Sequence, residues 1–323
     1  MSTVLITDYA WPDLDIERAV LDPAGHALVA GPARPATPET IEALVAAHQP
    51  HAIMTNWARV SERAIAACQD LRIVARIGVG LDNIAVDEAT ARGAWVTNVP
   101  DYCVEEVSDH AIGLMLAWAR GIVSFDREAK QGRWDPASAR LLRVGTLTAG
   151  IVGYGRIGRM TARKLRGFGM RLLAYDAFAA PDDLAEMVEL DVLLRDSDVI
   201  ILHVPLTPDT RHLIDRDRLA RVKRGAFLIN VSRGAVVDTD ALVDALQSGR
   251  LSGAGLDVLE NEPHVPDALR ARDDVIITPH VAFSSTASLA ELRRRVCEEV
   301  VRVLGGERPH HACNRPARAG PAQ

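Results

Sequence analysis

Short apolar, β-branched runs alternate along the whole chain with stretches whose apolar residues recur at helical spacing. That alternation predicts βα units wound around parallel sheets, an α/β fold. Two series emerge. The first predicts strands at Val4–Thr7, Ala52–Met54, Arg72–Ile77 and Trp95–Asn98. Helices are predicted at Pro38–His48, with Thr37 as N-cap and Pro38 in the first helical position, and at Glu62–Cys68 behind Ser61. The second series predicts strands at Ala149–Gly153, Arg171–Tyr175, Val199–Leu202, Phe227–Val231, Gly253–Asp257 and Val275–Thr278. Six strands suit a doubly wound sheet. Between the series, Val104, Val107, Ala111, Leu114, Met115 and Trp118 share one helical face, and a second amphipathic stretch, Leu289–Leu304, follows the last strand. The pattern predicts two domains with two crossings: residues 1–98 joined by 285–323, and residues 99–284 between them.

Composition narrows the class. With 323 residues, 48% hydrophobic and 25% charged, the chain can bury a sizeable core and lies far from the disordered regime. A net charge of -6 argues against a nucleic-acid partner, which needs a concentrated basic surface. Only three of the 37 basic residues are lysines, Lys130, Lys164 and Lys223, an imbalance that reads as coding bias. The longest apolar run, Ala111–Ala119, is half of the ~18 residues that a membrane span needs. The start, MSTVLITDYA, lacks the basic-then-apolar layout of a secretory signal, so a cytoplasmic location is expected. Cys68, Cys103, Cys297 and Cys313 have no paired spacing, so reduced thiols are expected and no metal is. His310, His311 and Cys313 read as a polar tail, and the run Arg293, Arg294, Arg295 as a solvated helix face.

The strongest local signal is AGIVGYGRIGRMTARKL. Gly153, Gly155 and Gly158 stand in GxGxxG spacing directly after an apolar strand and open a helical pattern. Gly153 allows the tight turn, Gly155 the approach of a pyrophosphate, and Gly158 close packing of helix on strand. A pyrophosphate would meet the unpaired amides near Arg156 and Ile157. The next predicted strand runs into Asp176, whose carboxylate can bond a ribose diol and would repel a 2′-phosphate. The expected cofactor is therefore NAD.

Further on, HVPLTPDTRHLI, LINVSRGAVVD, GAGLDVLENEP and ITPHVAFSS each follow a predicted strand, so their residues converge on one sheet edge. With these motifs in order, the chain resembles the D-isomer-specific 2-hydroxyacid dehydrogenase family over nearly its whole length. The stretch from Asn98 to Arg120 is most similar to the C-terminal-binding-protein-like branch. The resemblance implies a Rossmann NAD domain at 99–284, inserted in a split, flavodoxin-like substrate domain, and a homodimer. It places the catalytic arginine at Arg233, its acid partner at Glu262 and the acid/base histidine at His280. The chemistry suits those residue types. Hydride transfer to a 2-oxo carbon leaves an alkoxide, which an imidazolium can protonate and which a carboxylate beside the ring helps by holding it charged. A guanidinium offers a planar fork for the substrate carboxylate.

The same resemblance adds Val204, Pro205, Thr210, Val231 and Asp257 as cofactor contacts, Asp257 at the nicotinamide amide. Val79 and Gly80, in ARIGVGLDNI, are implied as amide donors to the substrate carboxylate, although the text reads equally as a strand-end turn. Tyr102 and Trp57 read either as pocket walls or as packing between domains. Trp134 reads either as partner-facing or as folded onto its own domain. Met54-Thr55-Asn56-Trp57 stands where phosphoglycerate enzymes carry an Arg-Ser pair, which speaks against a phosphate clamp despite nearby Arg59. Phe283-Ser284-Ser285 departs from the aromatic pair of the nearest branch and implies a roomier or more polar pocket. The alternative function is an NAD(H)-sensing, corepressor-like module that binds proteins without significant turnover.

Overall fold

The computed structural model describes residues 1–316. Among the described residues, twelve strands form two sheets whose neighbouring strands all pair in parallel. The five strands of the first are β1 (Ser2–Ile6), β2 (His26–Ala30), β3 (Ala52–Thr55), β4 (Ile73–Arg76) and β5 (Trp95–Thr97), in the order β2-β1-β3-β4-β5. The second holds β6 (Thr148–Val152), β7 (Arg171–Tyr175), β8 (Glu186–Met187), β9 (Val199–Leu202), β10 (Ala226–Asn230), β11 (Leu251–Leu256) and β12 (Val275–Ile277). Its order, β12-β11-β10-β9-β6-β7-β8, reverses direction between β6 and β9, where a doubly wound sheet opens its ligand crevice. The α/β class with two doubly wound sheets is thus the one that the pattern predicts. β2 and β8, which the pattern misses, are both edge strands, and β8 has only two residues.

The chain clusters into two compact units: Met1–Tyr102 with the segment from Ser285 on, and Cys103–Ser284. In the first, the helix Thr286–Leu304 packs against β3, β4 and the short helix Asp15–Leu21. Ser285 starts that helix with a reciprocal cap, its Oγ accepting from Ser288 N while Ser288 Oγ accepts from Ser285 N. Arg293 is not on a solvated face. It is 7% exposed and its guanidinium pairs with Glu17, itself 1% exposed, and with Asp13. Residues 312–314 are likewise built in. Ala312 bridges Thr97 in antiparallel sense, Cys313 N donates to Val96 O, and Asn314 Oδ1 accepts from Val96 N. These contacts cover the open edge of β5.

In the second unit, the helix Val104–Ala119 lays its apolar face on the helix Arg156–Arg166 and on β10 and β11. Lys164 ties the two helices through Asp109 and Glu105, and Trp118 stacks on Phe227 at 4.7 Å. The following helix, Ile122–Lys130, buries no residue, and Trp134 is 87% exposed, so it does not fold onto its own unit. Cys68, Cys103 and Cys297 are buried thiols, and burial pushes Cys68 up to about 11. No helix among the described residues is long and apolar enough to cross a membrane.

Candidate active site

Parallel strands deliver their carboxyl ends to one edge, and the second unit uses that edge throughout. Beyond β6 comes the turn Gly153–Gly158. Gly155 is the N-cap of the helix Arg156–Arg166 and no side chain caps it. At Gly158 a Cβ would stand 2.1 Å from Gly153 O, so this helix can sit this close to its strand only with glycine there. At Gly155 the space around a Cβ position is open to 4 Å, leaving a cradle beside the helix amides. Arg156 is exposed and Ile157 half-buried at its rim. Beyond β7, Asp176 Oδ2 accepts from Tyr154 N at 2.7 Å, and its Oδ1 accepts from Phe178 N and Ala179 N. A cradle with free helix amides and a carboxylate at the next strand end suits a dinucleotide's pyrophosphate and ribose.

Beyond β9, half-buried Val204 packs on the core, while Thr210 Oγ1 donates to Pro205 O at 2.6 Å and accepts from Thr207 N, pinning that loop. Val231, after β10, is buried.

Arg233 also follows β10. Asn230 shapes its turn: Nδ2 donates to Arg233 O at 2.9 Å, and Oδ1 accepts from the backbone N–H and hydroxyl of Ser232. Glu262 follows β11. Its Oε1 accepts from Leu259 N at 2.9 Å, and its Oε2 meets His280 Nδ1 at 2.9 Å. Partial burial raises the Glu262 carboxyl, but the His280 hydrogen bond and charge, the Leu259 amide and the Arg233 charge outweigh it and hold it below the ordinary value of 4.5. The structure thus brings Arg233, Glu262 and His280 together within one unit. With Nδ1 engaged by a carboxylate, Nε2 is the imidazole nitrogen left for a substrate.

His280 stands beyond β12 with φ 53°, a left-handed backbone unusual for a side-chain-bearing residue. The chain wraps there around Asp257, which is 2% exposed. Asp257 O accepts from His280 N at 2.8 Å. Its carboxylate accepts from Thr278 Oγ1 at 2.6 Å, Val281 N at 2.9 Å and Ala282 N at 3.0 Å. These bonds make Asp257, the residue expected at the nicotinamide amide, an anchor of the His280 loop as well. Phe283 meets the His280 ring edge-on, centroids 6.2 Å apart.

In the first unit, Arg76 at the end of β4 holds the turn that carries Val79 and Gly80: its guanidinium donates to Gly80 O at 2.9 Å and to Ile77 O. Val79 is exposed, and Tyr102 is buried. Sequence reasoning missed Asn230, Thr278 and Arg76. Asn230 alone left a signal, standing at a strand end just before an arginine turn.

Residues 112–282 match the family model described as D-isomer specific 2-hydroxyacid dehydrogenase, NAD binding domain, just over half of the chain. The chain belongs to the D-isomer-specific 2-hydroxyacid dehydrogenase family. The chain is 44% identical to a glyoxylate reductase of Korarchaeum cryptofilum over 257 residues, 77% of each chain. It is similar to the solved D-lactate dehydrogenase of Aquifex aeolicus with NAD and lactic acid, at TM-score 0.85, 28% identity and coverage of 99% of this chain and 100% of that one. A third likeness is to an NADPH-dependent glyoxylate/hydroxypyruvate reductase of Sinorhizobium meliloti with NADP and malonate, at TM-score 0.85, 32% identity and coverage of 100% and 98%. The protein is an NAD-dependent dehydrogenase that interconverts 2-hydroxy and 2-oxo acids, and the corepressor-like alternative is not favoured.

Proposed function

We infer that this dehydrogenase reduces a small, unphosphorylated 2-oxo acid of the glyoxylate or hydroxypyruvate kind, with His280 as acid/base. The observation that carries the reading is the 2.9 Å contact of His280 Nδ1 with Glu262, in a site that also presents Arg233. Bound NADH supplies the hydride that reaches C2 of the substrate. Arg233 holds the substrate carboxylate in a charge-assisted fork and polarises the neighbouring carbonyl. His280 holds a proton at Nε2 and delivers it to the carbonyl oxygen as C2 takes the hydride. In the reverse direction the neutral ring accepts it. Glu262 fixes the ring through Nδ1 and balances the imidazolium.

In the same reading, Gly153, Gly155, Arg156, Ile157 and Gly158 take the pyrophosphate, Asp176 the ribose diol, and Val204, Pro205, Thr210, Val231 and Asp257 line the cofactor's path. Val79, Gly80 and Tyr102 contact the substrate. The thiols of Cys68, Cys103 and Cys297 suit a cytoplasmic location, where they stay reduced. A homodimer would cover Ile122, Trp134, Leu141 and Leu142, whose exposed apolar side chains cluster in sequence around the helix Ile122–Lys130.

The test follows NADH absorbance with glyoxylate, hydroxypyruvate, pyruvate and a phosphorylated 2-oxo acid. Turnover is expected on the first two, and His280→Ala should lose at least about a hundredfold in kcat with NADH affinity kept. An undiminished rate in that variant removes the acid/base assignment, and preference for the phosphorylated acid removes the substrate class.

A further inference from the structure

We propose that His110 is a positioning residue for His280, acting through Thr278 and Asp257, a role that rests on the acid/base reading of His280. His110 lies on the helix Val104–Ala119, far from every strand-end motif in the sequence. Its Nε2 meets Thr278 Oγ1 at 2.9 Å and stands 3.6 Å from Asp257 Oδ1. Proton bookkeeping gives this chain a direction. The Thr278 hydroxyl has one hydrogen, and at 2.6 Å it donates that hydrogen to the Asp257 carboxylate. The contact with His110 is then a bond that Thr278 accepts, so the imidazole carries its proton on Nε2. The order is His110 N–H to Thr278 O–H to Asp257 carboxylate.

Each link polarises the next, and the last acceptor is a charge closed off from solvent. Asp257 in turn receives the backbone N–H groups of Val281 and Ala282 on its carboxylate, and that of His280 on its carbonyl. Those three successive amides hold the chain through the left-handed step at His280. A residue with a Cβ resists that conformation unless its surroundings fix it. His110 therefore braces the loop from behind: it fixes the hydroxyl rotor of Thr278, which fixes Asp257, which fixes the backbone that aims His280. The Glu262 contact orients the ring of His280, while the His110 chain orients the backbone that carries it.

The experiment compares His110→Phe with His110→Gln, whose amide nitrogen falls near the position of Nε2, and Thr278→Val with Thr278→Ser. For each variant, kcat and KM for glyoxylate and the NADH dissociation constant are measured. Expected is a roughly tenfold fall of kcat for His110→Phe and for Thr278→Val, with KM and NADH affinity within about twofold, because a misaimed proton donor slows chemistry more than binding. His110→Gln and Thr278→Ser should recover most of kcat. The double variant His110→Phe/Thr278→Val should be little worse than either single one, since both cut one chain. Unchanged kcat in His110→Phe, or an equal loss in His110→Gln, overturns the proposal. If His110→Phe does not fold, His110→Ala, which removes the donor without adding bulk, is compared with His110→Gln on the same terms. Loss of the His280 reading would show separately, as full turnover in His280→Ala.

Discussion

His203 follows β9 directly. Its Nε2 meets Thr161 Oγ1 at 2.9 Å, and its Nδ1 is shut off from solvent without a partner among the described residues. Burial pushes its pKa from the ordinary 6.5 down to about 3. In the unfolded chain the same imidazole takes a proton below about pH 6.5. The folded value is therefore the depressed one. The stability that comes from keeping the ring neutral is complete above pH 6.5 and drains away as pH falls toward the folded value. At about pH 5, proton uptake by the unfolded chain alone favours unfolding by about 2 kcal/mol, and any folded value below about 4 gives nearly the same figure. In a unit of this size that equals a drop of about 4–8 °C in melting temperature. Calorimetric scans at about pH 7 and about pH 5 should show this drop in the native protein. In His203→Gln, which keeps a partner for Thr161 and does not titrate, the drop should shrink by that amount. Equal acid losses in the two proteins would refute the reasoning.

Replacing Asp257 by Asn turns a charged acceptor into a neutral one and sets an amide N–H against one of its three donors. That should cost about 3 kcal/mol and lower the melting temperature of the cofactor-free protein by roughly 6–12 °C; a variant that melts normally and only binds NADH weakly would make Asp257 a cofactor contact alone. Arg293→Met strands the Glu17 carboxylate in the first unit and should cost about 3–5 kcal/mol in urea unfolding, much of it recovered in Glu17→Met/Arg293→Met. Asp176→Ser should narrow the preference for NADH over NADPH by at least about tenfold in kcat/KM, and an unchanged ratio would move cofactor choice elsewhere. The Glu262 carboxyl lies below its ordinary 4.5, so its charge supports the fold fully above that pH and less as pH falls through the lower folded value. Melting curves of Glu262→Gln should accordingly converge on those of the native protein toward the acid end.

Sequence pattern carried the fold class because buried parallel strands write themselves as unbroken apolar runs and the glycine turn has a fixed place after the first strand of its sheet. It lost β2 and β8 at the sheet edges, where one side faces solvent and the apolar signal thins. It read Arg293 as solvated because a charge run looks the same whether or not an acid waits for it, and Glu17 lies 276 positions away. That Arg233, Glu262 and His280 would share one sheet edge was legible from motif order. The props behind them were not. His110 sits beside an apolar helical stripe, where its spacing says only that it flanks the core, and Thr278 reads as the end of a strand. Partners so distant in sequence become visible only once the sheet brings strand ends and helix together.

The two units also differ in when they can exist. Cys103–Ser284 is one uninterrupted stretch, able to collapse as soon as it leaves the ribosome. The other waits for the helix Thr286–Leu304 and the residues that seal β5. Until those are synthesised, β3 and β4 lack the helix that packs on them, and an unsealed strand edge invites pairing with a neighbouring nascent chain. A released fragment ending at Ser284 should accordingly protect the second unit from protease while residues 1–102 are still digested.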